Sequence, residues 1–186
     1  MPVRVRGWKR AWNFVLRRAG MCALGVSRAR AAVSNGVLVH VSLEELPKFD
    51  AREGGYKRRR LDPKVCTPLG GDRIPADDLW IYVPTKRGMP TNEAPIVQSY
   101  VDVVLQGCLT ISSAFADEFV QTTDLWDTAR LDDRKAPRYA RPLKAGAPLK
   151  GIDAVLRRNG RTIVTPDLRT AGARAARPRR SARPGR

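Results

Sequence analysis

The clearest capacity for chemistry lies in Phe49-Asp50-Ala51-Arg52-Glu53-Gly54-Gly55-Tyr56. One carboxylate, Glu53, stands directly before a Gly-Gly pair and an aromatic residue. A carboxylate at the end of a helical turn, followed by glycines that allow φ > 0, can be aimed into a cavity. That geometry suits a lone general base, which takes a proton from one reacting atom and returns it to another. The same residues also fit a solvated glutamate in a glycine-rich turn. Local sequence leaves both readings open.

Little else in the chain competes for a chemical role. His40 is the only histidine, so a histidine-built zinc site is excluded. A Ser-His or Cys-His couple would have to use it, and its apolar surroundings read better as a satisfied strand histidine. Cys22, Cys66 and Cys108 are odd in number and widely spaced. They read as reduced thiols in a reducing, cytoplasmic compartment. No metal or cofactor is called for.

The elements that must position Glu53 follow from periodicity. Val3 to Phe14 reads as a strand, with Val3 and Val5 inward and Arg4 and Arg6 outward. Met21 to Val26 reads as a short strand. The turn Ser34-Asn35-Gly36 then feeds a second strand, Val37 to Val41, and the two are expected to pair as a hairpin. Ser42 and Glu45 form a capping box for a short helical turn over Leu43 to Phe49. Lys57 to Leu61 leads away as a basic extended segment, and Leu79 to Val83 is a strand stopped by Pro84.

Two helices follow. The first is expected over Ile96 to Gly107, with Ile96, Tyr100, Val103 and Val104 inward and Asp102 and Gln106 outward. The second runs from Ser112 or Ser113 to Thr122 or Thr123, with Phe115, Phe119 and Val120 inward. Ile152 to Leu156 reads as a last short helix. Strands followed by a strand and helices indicate an α+β domain with a closed or nearly closed sheet.

The formal charge of +17 suggests nucleic acid until it is located. Residues 1–30 carry eight Lys or Arg and no acid, and residues 169–186 carry seven Arg and no acid. The body, residues 31–168, holds 20 basic against 18 acidic side chains. Basic ends on a nearly neutral body argue against a basic groove and for non-specific contact with phosphate. The segment 169–186 is rich in Ala, Arg and Pro and reads as a disordered tail to a domain over 1–168. No apolar run is long enough to cross a membrane. The acid-free N-terminus also fits an organelle transit peptide, although its strand-like alternation speaks against that.

Several segments together resemble the gamma-glutamylcyclotransferase-like family. Gly7-Trp8-Lys9-Arg10-Ala11-Trp12-Asn13 is similar to an early strand of that family, and Asp50 to Tyr56 to its catalytic-glutamate segment. Ile81-Tyr82-Val83, Pro95 to Asp102 with Gly107, Phe115 to Phe119, Trp126, Asp133-Arg134 and Pro137-Arg138-Tyr139 continue the likeness. It covers about residues 3–142. The resemblance implies a mixed β-barrel with flanking helices and cyclisation of a γ-glutamyl amine or peptide to 5-oxoproline. It assigns the acid/base role to Glu53 and places Gly54, Gly55 and Tyr56 at the substrate. Family members open on a strand ending in a Tyr-Gly-Ser-Leu loop, and no such tetrapeptide occurs here. The implied domain lacks its first strand. The alternative is an inactive cyclotransferase-like domain that binds partners, with basic ends touching nucleic acid.

Overall fold

A computed structural model describes residues 1–161. The expected tail, 169–186, and the last residues of the expected domain, 162–168, lie outside them. Strands β1 (Pro2–Leu16) and β2 (Met21–Val37) come first, followed by helix α1 (Leu46–Arg52). Strands β3 (Tyr56–Leu61), β4 (Cys66–Pro68), β5 (Leu79–Pro84) and β6 (Ile96–Val97) follow. Helices α2 (Gln98–Ile111) and α3 (Ser113–Gln121), strands β7 (Thr123–Asp124) and β8 (Arg130–Leu131), and helix α4 (Leu149–Arg158) complete the order. The domain is mixed α+β, as expected. Its strands form three ladders: β2-β1-β4 with β7 beside β1, then β3-β5, then β6-β8. No closed barrel is found among the described residues.

The long hairpin β1-β2 carries the rest. Val3 and Val5 are buried while Arg4 and Arg6 are exposed, as a strand with one covered face requires. From Arg10 to Phe14 every residue is buried, because elements pack on both faces there. Register shifts between Arg6 and Trp8, ahead of that stretch, and between Trp12 and Phe14, within it, interrupt the ladder.

The hairpin corrects one expectation. Ser34-Asn35-Gly36 makes no turn; it sits inside β2, opposite Val5, Arg4 and Val3. Side chains that would stabilise a local turn are engaged across the molecule instead. Ser34 Oγ donates to the Trp8 carbonyl (3.0 Å), and Asn35 Nδ2 donates to the Phe115 carbonyl (2.8 Å). The actual turn is the single 3-10 turn Arg17–Ala19, ended by Gly20 at φ +59°. Consequently Val37 to Val41 is not a strand. The chain leaves the sheet after Val37, and His40 is exposed rather than held in a strand.

Helix α2 carries a second correction. Its period is as expected but its phase differs by one residue, about 100° of rotation. Val101, Leu105 and Cys108 are the most deeply buried positions, while Tyr100 and Val104 are half-buried against the same core. Asp102, expected to face outward, is only 3% exposed. A buried carboxylate requires compensation, and Arg134 supplies it with a two-pronged bond of 2.7 Å to each oxygen. Helix α3 keeps its expected face, with Phe115, Phe119 and Val120 buried.

The main core forms where α2, α3 and α4 close on β1. Trp12 and Trp126 are fully enclosed and meet edge to face with ring centres 5.1 Å apart. Such a pair contributes roughly 0.5–1.5 kcal/mol beyond its area burial. A smaller cluster, Phe14, Met21, Ala23 and Val97, lies against Tyr56, Tyr100 and Tyr139. This second cluster supports the site.

Candidate functional site

Glu53 is placed by a chain of local causes. Ser42 and Glu45 form the expected capping box, with the Glu45 N–H donating to Ser42 Oγ at 3.2 Å. A turn over residues 43–45 leads into α1, and Pro47 falls in its first turn, where a missing N–H costs nothing. The helix is short and displaced from the expected span, ending at Arg52. Glu53 is its C-terminal cap, with its N–H on the Phe49 carbonyl.

The glycine pair divides its work unequally. Gly55 has φ +92°, a conformation that L side chains rarely adopt. A Cβ there would stand 2.5 Å from Phe14 Cζ, whereas one at Gly54 would meet nothing. Gly55 therefore lets the loop close onto the Phe14 ring. Its carbonyl accepts from both the Thr85 N–H (2.9 Å) and the Thr85 hydroxyl (2.8 Å), which ties the loop to the end of β5.

Tyr56 lies with its ring centre 4.3 Å from that of Phe14, and its hydroxyl donates to the Leu24 carbonyl at 2.6 Å. That hydroxyl is committed to the backbone of β2. Burial pushes the Tyr56 phenol up, and Tyr100, Glu53 and Cys22 add to the shift. Burial likewise pushes Tyr100 up to about 12, with Tyr139 and Glu53 adding and a hydrogen bond from the Leu24 backbone opposing. Two phenols thus grip Leu24 and stay protonated at neutral pH. Both feel the charge of Glu53.

The Glu53 side chain itself is 32% exposed, and its nearest cation, Arg52 Nε, is 4.0 Å away. It lines neither of the two cavities described below. The larger, of about 1060 Å³, lies between residues 14–19 and residues 85–94. Its wall includes Phe14 and Thr85, the two residues that hold the Glu53 loop. The smaller, of about 140 Å³, lies beside Ser99, Asp102 and Arg134.

Behind the tyrosines is a buried polar network. Asp133 accepts from the Ser99 N–H (2.7 Å), the Ser99 hydroxyl (2.6 Å) and the Arg138 N–H (2.7 Å). The Tyr139 N–H donates to Ser99 Oγ at 3.3 Å, and the Tyr139 ring lies 4.7 Å from that of Tyr100. Asp133 therefore fixes the segment that backs the tyrosine wall. Beneath it, Arg134 bridges Asp102 and Asp153, so α2 and α4 share one guanidinium.

Of the residues singled out from sequence, Glu53, Gly55 and Tyr56 gather at one place, with Gly54 exposed beside them. Sequence reasoning missed Phe14, Thr85 and Tyr100 as their neighbours. Phe14 sits 39 positions before Glu53, and no local pattern links the two. Tyr100 reads as a core residue by helical period, and it does pack against the core while also feeling the charge of Glu53.

Chemically, the arrangement offers a partly desolvated carboxylate that can accept and return a proton, beside neutral phenols. No group of three or more His, Cys, Asp or Glu among the described residues is placed to hold a metal ion. The three cysteines are buried and free. No helix among the described residues is long and apolar enough to cross a membrane. Comparison with protein-family models, curated proteins and solved structures gives no match.

Proposed function

We propose that this protein cyclises a γ-glutamyl amine or peptide to 5-oxoproline, with Glu53 as the acid/base. The observation that carries this reading is a carboxylate held at a helix C-terminus by a positive-φ glycine, within electrostatic reach of two buried phenols. In the reaction the substrate's α-nitrogen attacks its own γ-carbonyl carbon, forming the ring C–N bond. The amide C–N bond to the departing amine then breaks. Glu53 takes the proton lost by the attacking nitrogen and delivers it to the leaving nitrogen. Ring closure supplies the proximity, so the protein need not provide a nucleophile. On this reading the three ladders are parts of one cyclotransferase-type barrel, and Gly54, Gly55 and Tyr56 border the substrate.

The test is release of 5-oxoproline from γ-glutamyl amino acids and glutathione by the full chain and by Glu53→Gln. Turnover by the parent and its loss in the variant support the reading. Equal turnover in both rejects it.

One observation favours a second reading. Glu53 lines neither cavity and keeps a third of its surface in solvent. A binding domain without catalysis, its basic ends touching nucleic acid non-specifically, fits that exposure. RNA binding that falls steeply with salt and disappears on deleting residues 169–186, with no 5-oxoproline release, would select it.

A further inference from the structure

The larger cavity has a character that Glu53 chemistry does not use. It is walled by two segments far apart in sequence, residues 14–19 and residues 85–94. Arg17 and Arg18 come from the 3-10 turn of the hairpin, and Lys86 and Arg87 from the loop after β5. Glu93 is the only acid on its wall. Among the described residues Arg18, Lys86 and Arg87 make no ion pair or side-chain hydrogen bond, and Arg17 has only the field of Glu93. Several other arginines are paired with acids, as Arg4 with Glu118 and Arg158 with Asp117 illustrate.

The concavity is built rather than incidental. The Gly88 N–H donates to the Asn13 carbonyl at 2.9 Å, and a Cβ at Gly88 would stand 2.9 Å from Val15 Cγ2. The two walls therefore touch at one end. Thr91 and Ala94 exchange two backbone bonds of 3.2 Å, and Arg138 caps the Gly20 carbonyl at 2.8 Å, which fixes the other. Between them lies apolar surface from Phe14, Val15 and Leu16, with Met89 left 56% exposed. A cleft in which four cations outnumber one acid focuses a positive field into its mouth. An apolar floor under unpaired cations suits a ligand with the same two parts.

The geometry points to a binding site for a small organic anion, a carboxylate or phosphate on an apolar body, in the cleft between residues 14–19 and 85–94. The site does not depend on the cyclotransferase reading, because Glu53 is not on its wall.

The test uses the full chain and two dyes: 8-anilinonaphthalene-1-sulfonate and its uncharged counterpart, N-phenyl-1-naphthylamine. The anionic dye binds at one site, and Lys86→Glu/Arg87→Glu weakens it by about tenfold or more, while the neutral dye is unaffected. A matched reversal elsewhere, Arg59→Glu/Lys150→Glu, leaves both dyes unchanged. Glu53→Gln also leaves binding unchanged, which separates this outcome from any result on turnover. Displacement of the anionic dye by phenyl phosphate or by benzoate supports the site and assigns the head group. Equal affinity for the two dyes, an equal loss in the matched reversal, or displacement by phenol alone overturns it.

Discussion

Around the N-terminus of α2, charge is paired and enclosed: Arg134 joins Asp102 to Asp153, and Asp133 satisfies Ser99 and Arg138. In the cleft beside the Glu53 loop, three of four cations have no partner among the described residues, and the carboxylate of Glu53 has only Arg52 at 4.0 Å. Burial explains the contrast. A charge removed from water must find an opposite charge or several dipoles, so the α2 network is complete. A charge left in a cleft is solvated until something displaces the water, and it remains available to a ligand. Arg10 shows the same rule with dipoles in place of a direct ion pair. Burial pulls its guanidinium down to about 10, and it is held by the hydroxyls of Thr122 and Thr123 and by Asn35.

Removing charge on each side should therefore give opposite phenotypes. On the open side, Glu53→Gln should leave stability unchanged and lower 5-oxoproline release by roughly 10²–10⁴. A rate within a factor of two of the parent would break the comparison there. On the enclosed side, Asp102→Ala leaves Arg134 with Asp153 alone and takes the acceptor from the Gln98 amide, and should cost about 3 kcal/mol in chemical denaturation. A cost below about 1 kcal/mol would mean the network contributes little.

Alkali sharpens the enclosed side further. Burial pushes the Cys22 and Cys108 thiols up to about 11 in the folded chain, against about 8.5 when unfolded. A raised acid pKa means the folded state keeps its protons longer. Stability is full below the unfolded value and falls as pH rises toward 11, by up to about 1.4 kcal/mol per pH unit for each thiol. Denaturation at pH 8 and pH 10 measures the slope, and a flat profile contradicts it. An aromatic disulfide reagent should modify the three cysteines only after unfolding.

The loop that carries Glu53 gives the smallest effects. Gly55→Ala forces a side chain into positive φ against Phe14 and should cost about 1–3 kcal/mol. Gly54→Ala should stay within about 0.5 kcal/mol, since nothing lies near its Cβ. Ser42→Ala removes the cap of the α1 entry and should cost about 1 kcal/mol by thermal melting. Equal costs at the two glycines would mean that Phe14 does not set the loop.

Much was legible locally. The alternation of Val3 and Val5 with Arg4 and Arg6, the Ser42–Glu45 cap, the β5 strand and the inner face of α3 all appear as read, because each depends on residues within a turn or two. Misreadings arose where distant partners override a local preference. Asn35 prefers a turn, yet Arg10 and Phe115 hold it in a strand. Asp102 belongs outside by its polarity, yet Arg134, 32 positions later, draws it in.

By itself the sequence determined the α+β composition, the lone acid before a glycine pair, and the charge distribution between body and ends. These are counts and short-range periods, which every copy of the chain carries whether folded or not. Tertiary structure alone decided that Phe14 and Thr85 hold the Glu53 loop and that two tyrosines flank Leu24. It also brought four cations from two remote segments to one cleft. Those relations depend on register and helix rotation, which are fixed by contacts between residues tens of positions apart.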